Sequence, residues 1–95
     1  MASIFVTVTS AEGWHARPIT AFAALVADFV ATFNLEVTVG RVGAEPVRAD
    51  SVLSLMTLGV RQNEQLEIVV SESEADPASD AASIEDFFAK ARELF

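Results

Sequence analysis

The chain has no cysteine, no tyrosine, one tryptophan, one histidine, and only six basic residues against fourteen acidic ones. Each shortage excludes something. Without cysteine there is no disulfide and no thiolate chemistry. With a single histidine, a zinc site would need carboxylates for nearly every other ligand, so no metal centre is expected. The net charge of −8 argues against nucleic acid and against anionic membrane surfaces as partners. No run approaches the ~20 apolar residues of a membrane span, and residues 1–5 carry no basic segment ahead of a long apolar one. A soluble, cytoplasmic protein without membrane insertion is therefore expected.

What is present is apolar patterning. Hydrophobic residues fill 52% of 95 positions, ample for one small domain over residues 1–95 that buries roughly 60–65% of its unfolded surface. No repeat, linker or low-complexity tract divides it. Residues 3–9 alternate, with Ile4, Val6 and Val8 on one face, which predicts a strand. From Ala16 to about Thr32, the positions Ile19, Phe22, Ala23, Val26, Phe29, Val30 and Phe33 recur at helical spacing. Thr20, Ala24, Ala27 and Asp28 lie opposite, and Asn34 tolerates the conformation that ends a helix.

Residues 35–39 alternate again. Residues 40–46 are turn-rich, and Pro46 confines a short strand around 47–49 to a sheet edge. Asp50 or Ser51 caps a short helix over 52–58, ended by Gly59, with Leu55 and Leu58 turned inward. A turn at 62–64 leads into a strand over 66–71, and residues 72–80 read as an acidic loop. Asp76-Pro77 or Ser79-Asp80 then starts a last helix with the stripe Ala81, Ile84, Phe87 or Phe88, Ala91 and Leu94. The order βαββαβα is that of an α+β fold with helices on one face of an antiparallel sheet.

The chemistry concentrates in Gly13-Trp14-His15-Ala16-Arg17-Pro18. Pro18 suits the first turn of a helix, where its missing N–H removes no helical bond, and Gly13 permits the turn from strand to helix. His15 thus falls near the N-cap, beside unpaired backbone N–H groups. The positive helix end attracts anions and disfavours imidazolium, which favours a neutral, nucleophilic ring. Arg17 adds donors that match phosphate geometry. A neutral nucleophile, an anion-binding helix end and a guanidinium make a phosphoryl-accepting site that needs no general base.

Plainer readings stand beside this one. His15 is then a cap or a surface residue, and Arg17 a solvated side chain or a partner for Glu12. These residues do not choose between the two ring nitrogens, and Trp14 is either buried or borders the site. An isolated phosphatase or mutase is disfavoured, because no second acid or base lies near the motif.

The hexapeptide resembles the active-site signature of HPr, the phosphocarrier of the phosphoenolpyruvate-dependent sugar phosphotransferase system. A second stretch, Ser51-Val52-Leu53-Ser54-Leu55-Met56-Thr57-Leu58-Gly59-Val60, resembles that family's second signature, around its regulatory serine. The two stand in the right order at nearly the right separation, and the resemblance runs over essentially the whole chain. It implies an HPr-like open-faced β-sandwich, a four-stranded antiparallel sheet covered on one face by three helices. It also implies a phosphocarrier rather than a turnover enzyme. No cofactor is expected, and a monomer is the default state. His15 would accept the phosphoryl group at Nδ1, held by the Arg17 side chain and by the backbone of Ala16 and Arg17. Enzyme I would be the donor and sugar-specific IIA components the acceptors.

Thr20, Val52, Leu53 and Met56 match the family's partner-docking patch. Ser51 matches the serine that an HPr kinase phosphorylates in some lineages; the alternative is a plain helix cap, and Asp50 beside it would repel a second anion. The connection at 40–46 is about five residues longer than the family pattern, a length a hairpin tip tolerates because closure costs grow slowly. Trp14 replaces the usual aliphatic residue. Ala24 and Ala27 stand where basic residues are frequent, so either the cognate partners are less acidic or docking relies more on apolar contact and on Arg48. A paralogous carrier in a nitrogen or dihydroxyacetone kinase relay fits the same residues. A non-catalytic binding domain with His15 as a cap is the reading from another class.

Overall fold

The alternating stretches pair into one sheet. In the computed structural model, which describes residues 2–33, 35–71 and 77–95, the strands are β1 (Ala2–Thr7), β2 (Glu36–Arg41), β3 (Val47–Arg48) and β4 (Gln65–Ser71). The helices are α1 (Ala16–Phe33), α2 (Val52–Met56) and α3 (Pro77–Arg92). The strand order is β1-β4-β2-β3 and every pair is antiparallel. The register sets Val6 opposite Leu66, Val37 opposite Val70 and Val39 opposite Ile68. Because side chains alternate along a strand, these six residues share one face, and all are buried.

The helices cover that face. α1 buries Ile19, Phe22, Ala23, Val26 and Phe29, and α3 buries Ile84, Phe87, Phe88 and Ala91. Phe29 stacks on Phe87 with ring centroids 4.5 Å apart, which joins the two helices. Phe22 and Phe87 are almost wholly enclosed, and burial of a phenylalanine side chain contributes about 1.5–3 kcal/mol. The opposite face of the sheet is open: Phe5, beside Glu67 in the register, is 59% exposed. This is the open-faced sandwich that the sequence resemblance implies.

Several boundaries differ from the sequence expectation, each for a local reason. β2 continues through Gly40 and Arg41, so the turn-rich connection narrows to residues 42–46. α2 ends at Met56, with Thr57 as its C-cap, although Leu58 still packs half-buried on the core. Its N-cap is Ser51, whose Oγ accepts the Ser54 N–H at 3.3 Å. α3 begins at Pro77, so residues 77–80 are helical rather than loop, and Ser79-Asp80 lies inside the helix. Both Phe87 and Phe88 are buried, not one of them. Asn34, the loop portion 72–76 with Asp76, and the Ala81 side chain lie outside the described residues.

α1 also corrects the expectation about apolar runs. Its 18 residues have a mean hydropathy of 1.4, long and apolar enough by composition to cross a membrane. Phe22 and Val26, at the middle of that face, are enclosed in the protein core. The helix is apolar along the face it turns into the core.

A polar staple holds the segment between α2 and β4. Arg41 Nη1 donates to the carbonyls of Leu58 (3.0 Å) and Gly59 (3.4 Å), and its Nη2 pairs with Glu64. Glu64 Oε1 accepts the Arg61 N–H at 2.7 Å. That backbone bond first, and then the Arg41 guanidinium, hold the Glu64 carboxyl below the usual carboxylate range against the opposing effect of desolvation. A carboxyl depressed on folding contributes stability above its unfolded value and loses it as pH falls through the folded one. Glu64→Gln should therefore melt below the parent near neutrality, and the gap should close as pH falls below the carboxylate range. Thermal melts from about pH 7 to about pH 3 check this.

Candidate functional site

The site is built on the link between β1 and α1. After β1 the chain turns: the Gly13 N–H donates to the Ser10 carbonyl (2.9 Å) and the Glu12 N–H to Ser10 Oγ (3.3 Å). Gly13 has φ +76°, and a Cβ there would stand 2.6 Å from the Val60 carbonyl oxygen. Only glycine satisfies both conditions. The same Val60 oxygen accepts the Trp14 N–H at 3.0 Å, so the loop is sewn to the segment that leads into β4.

The next residue is the anchor. Trp14 is 6% exposed; it stacks on Phe95 at 5.0 Å and meets Phe22 edge-on at 5.5 Å. Phe95 in turn meets Phe22 at 5.8 Å, and its carbonyl accepts the Thr9 hydroxyl at 2.6 Å. Such aromatic pairs contribute about 0.5–1.5 kcal/mol each beyond their burial. The Trp14 indole N–H is buried with no hydrogen-bond partner among the described residues. Of the two readings left open for Trp14, the structure takes the core.

With Trp14 pointing in, His15 points out. Its carbonyl accepts the Ile19 N–H at 3.1 Å, which makes it the N-cap residue of α1. The ring is 41% exposed. Nδ1 lies 3.3 Å from the Gly13 carbonyl oxygen and Nε2 3.3 Å from Glu12 Oε2. Among the described residues no amide of α1 donates to the ring, so the imidazole does not cap the helix. Pro18 has no N–H, and the free amides of the first turn reduce to those of Ala16 and Arg17, both residues being exposed. The Arg17 side chain makes no ion pair among the described residues. Glu12, the partner considered for Arg17 from sequence, pairs with His15 instead.

α2 packs beside α1. On it Leu53 is 79% and Met56 50% exposed, as the inward Leu55 requires of its neighbours. Val52, matched to the docking patch by the resemblance, is half-buried and packs against the core. Thr20 is exposed on α1 and donates its hydroxyl to the Ala16 carbonyl at 2.7 Å. Arg48 is not the free docking cation expected; it grips Asp50 through Nε (3.1 Å) and Nη2 (2.8 Å). Ser51 Oγ is occupied as the cap.

Sequence reasoning missed three participants. Glu12 stands at i,i+3 to His15, a spacing that the motif's turn brings together. Val60 and Phe95 carried no local signal, since each acts across the fold.

Residues 2–90 match the family model described as "PTS HPr component phosphorylation site", and the chain belongs to this PTS-HPr family. HPr is a phosphocarrier of the phosphotransferase system, not a catalytic enzyme. Three solved structures are similar in fold. HPr-C-His from Thermoanaerobacter tengcongensis shares 20% identity with a TM-score of 0.65, covering 98% of this chain and 97% of that one. A mycoplasma histidine-containing phosphocarrier protein shares 16% identity with a TM-score of 0.67, covering 96% of each chain. Phosphocarrier protein HPr from Bacillus anthracis str. Ames shares 19% identity with a TM-score of 0.61, covering 90% of this chain and 94% of that one.

The loop's two anchors give separate tests. Trp14→Ala should cost about 3–5 kcal/mol in chemical denaturation. Trp14→Phe, which keeps most of the packing and removes the unpartnered N–H, should stay within about 1.5 kcal/mol of the parent. Gly13→Ala should cost more than about 1 kcal/mol, since it meets both a left-handed backbone and the Val60 carbonyl.

Proposed function

We propose that His15 is the phosphoryl acceptor and donor of this carrier. The observation that supports it is the lone imidazole, held at the N-cap of α1 yet bonded to none of its amides, with Arg17 and the Ala16 and Arg17 N–H groups free around it. Enzyme I, charged from phosphoenolpyruvate, presents a phosphohistidine. The Nδ1 lone pair of His15 attacks phosphorus in line while the donor's P–N bond breaks. Arg17 and the two amides hold the phosphoryl oxygens through a loose transition state. The group then passes to a sugar-specific IIA component in the same way. No proton need be removed, because imidazole already offers a lone pair.

Docking in this reading rests on Leu53 and Met56, with Thr20 beside them and Val52 contributing its exposed part. An apolar centre with methionine suits several unlike partners. With few free cations at hand, association should depend weakly on salt. Ser51 serves as the cap of α2, and Asp50 next to it weighs against a second anion there. The protein works as a soluble, cytoplasmic monomer, in one domain over residues 1–95.

The test is incubation with enzyme I, magnesium and phosphoenolpyruvate, followed by intact mass before and after mild acid. The expected result is an acid-labile gain of one phosphoryl group that His15→Ala lacks. A gain that persists in His15→Ala, or that survives acid, overturns the assignment. Arg17→Ala should slow loading by roughly 10²–10³-fold. Leu53→Asp should raise the enzyme I concentration needed for half-maximal loading and leave the saturated rate near that of the parent.

A further inference from the structure

Among the described residues, the carboxylate of Glu12 is the one charged group placed against the ring that the carrier mechanism above does not use. Its Oε2 lies 3.3 Å from His15 Nε2. The backbone beneath it is fixed: Glu12 is held in the Ser10 turn by its own N–H on Ser10 Oγ, and Gly13 after it is locked against Val60, while the Glu12 side chain itself is 75% exposed. The turn that presents the imidazole therefore presents the carboxylate with it. The other charged residues nearby are Arg17 on the first turn of α1 and Arg61, whose Cα borders Gly13. α2 carries no charged residue.

A neutral imidazole has one N–H and one lone pair. Two oxygens compete for that N–H: the Gly13 carbonyl at Nδ1 and the Glu12 carboxylate at Nε2, each at 3.3 Å. A hydrogen bond to an ionised acceptor is roughly twice as strong as a neutral one. The proton thus belongs on Nε2, and the lone pair falls on Nδ1. When Nδ1 takes a phosphoryl group, Nε2 keeps its proton and the ring becomes an N-phosphoryl imidazolium, a cation beside an anion. On discharge the P–N bond breaks, its electron pair returns to Nδ1, and neutral imidazole leaves with no proton moved. Had Nε2 lost its proton, the leaving group would be imidazolate, which departs far less readily.

We propose that Glu12 is a positioning residue that selects the Nδ1 nucleophile in the resting ring and keeps Nε2 protonated in the phosphorylated one, so that the carrier stays dischargeable. This rests on His15 as the phosphoryl acceptor, and the experiment separates the two claims.

Glu12→Gln keeps the size and removes the charge; Glu12→Asp keeps the charge. First, long-range ¹H–¹⁵N spectra of the unphosphorylated proteins near neutral pH read the tautomer directly. The parent and Glu12→Asp should show Nε2–H, and Glu12→Gln a mixture. Second, the phosphorylated proteins, freed of enzyme I, are followed for loss of phosphate to water across pH at low salt. The alkaline limb of the parent's profile should lie higher than that of Glu12→Gln by a few tenths of a pH unit, about two- to five-fold in rate for an exposed pair. Glu12→Asp should move the limb back toward the parent. A parent ring protonated on Nδ1, or superimposable profiles for parent and Glu12→Gln, overturns the proposal. If the parent takes no acid-labile phosphate, the assignment of His15 fails instead, and the tautomer spectra still decide what Glu12 does to the resting ring.

Discussion

Gly13 lies against the Val60 carbonyl with no room for a side chain between them, and the site depends on that close approach. The same oxygen takes the Trp14 N–H, so one carbonyl fixes the direction of two consecutive residues. With the backbone pinned there, Trp14 turns into the core and His15 turns out of it. The aromatic cluster of Trp14, Phe22 and Phe95 then holds the loop from beneath. A histidine on a free loop would spend much of its time in other orientations. Here the ordering entropy is covered by burial elsewhere, and the ring is presented in one place.

The electrostatics of the surface sharpen this picture. The chain carries a net charge of −8, yet a phosphoryl site of the kind proposed for His15 has to hold an anion. Several cations are engaged: Arg41 with Glu64, Arg48 with Asp50, and Lys90 with Asp86. Among the described residues Arg17 makes no ion pair, and it stands on the turn of α1 that bears the free amides. The neighbouring surface offered by α2 is apolar, through Leu53 and Met56.

Much of this was legible in the sequence, because it is written in short-range periodicity. Strand alternation and the helical stripe of α1 placed the core, and Gly13, His15, Arg17 and Pro18 placed the site at the helix head. What the sequence did not carry were contacts closed only by the fold. Trp14 could not be assigned to core or rim without Phe95, which comes to it from the far end of the chain. Val52 was matched to the docking patch by the resemblance, but in the fold it packs half-buried against the core. Arg48 looked free until β3 and the turn after it brought Asp50 within reach. Glu12 was weighed against Arg17, and the backbone turn at Ser10 gave it to His15.

The central claim is that His15 carries a phosphoryl group at high transfer potential rather than merely accepting one. The most direct measurement is discharge: the phosphorylated protein, purified away from its donor, is returned to unphosphorylated enzyme I with magnesium and pyruvate. The account predicts loss of the acid-labile phosphoryl group from the protein with matching formation of phosphoenolpyruvate. A phosphoryl group that stays on the protein while the same enzyme I remains competent to load fresh protein would contradict it.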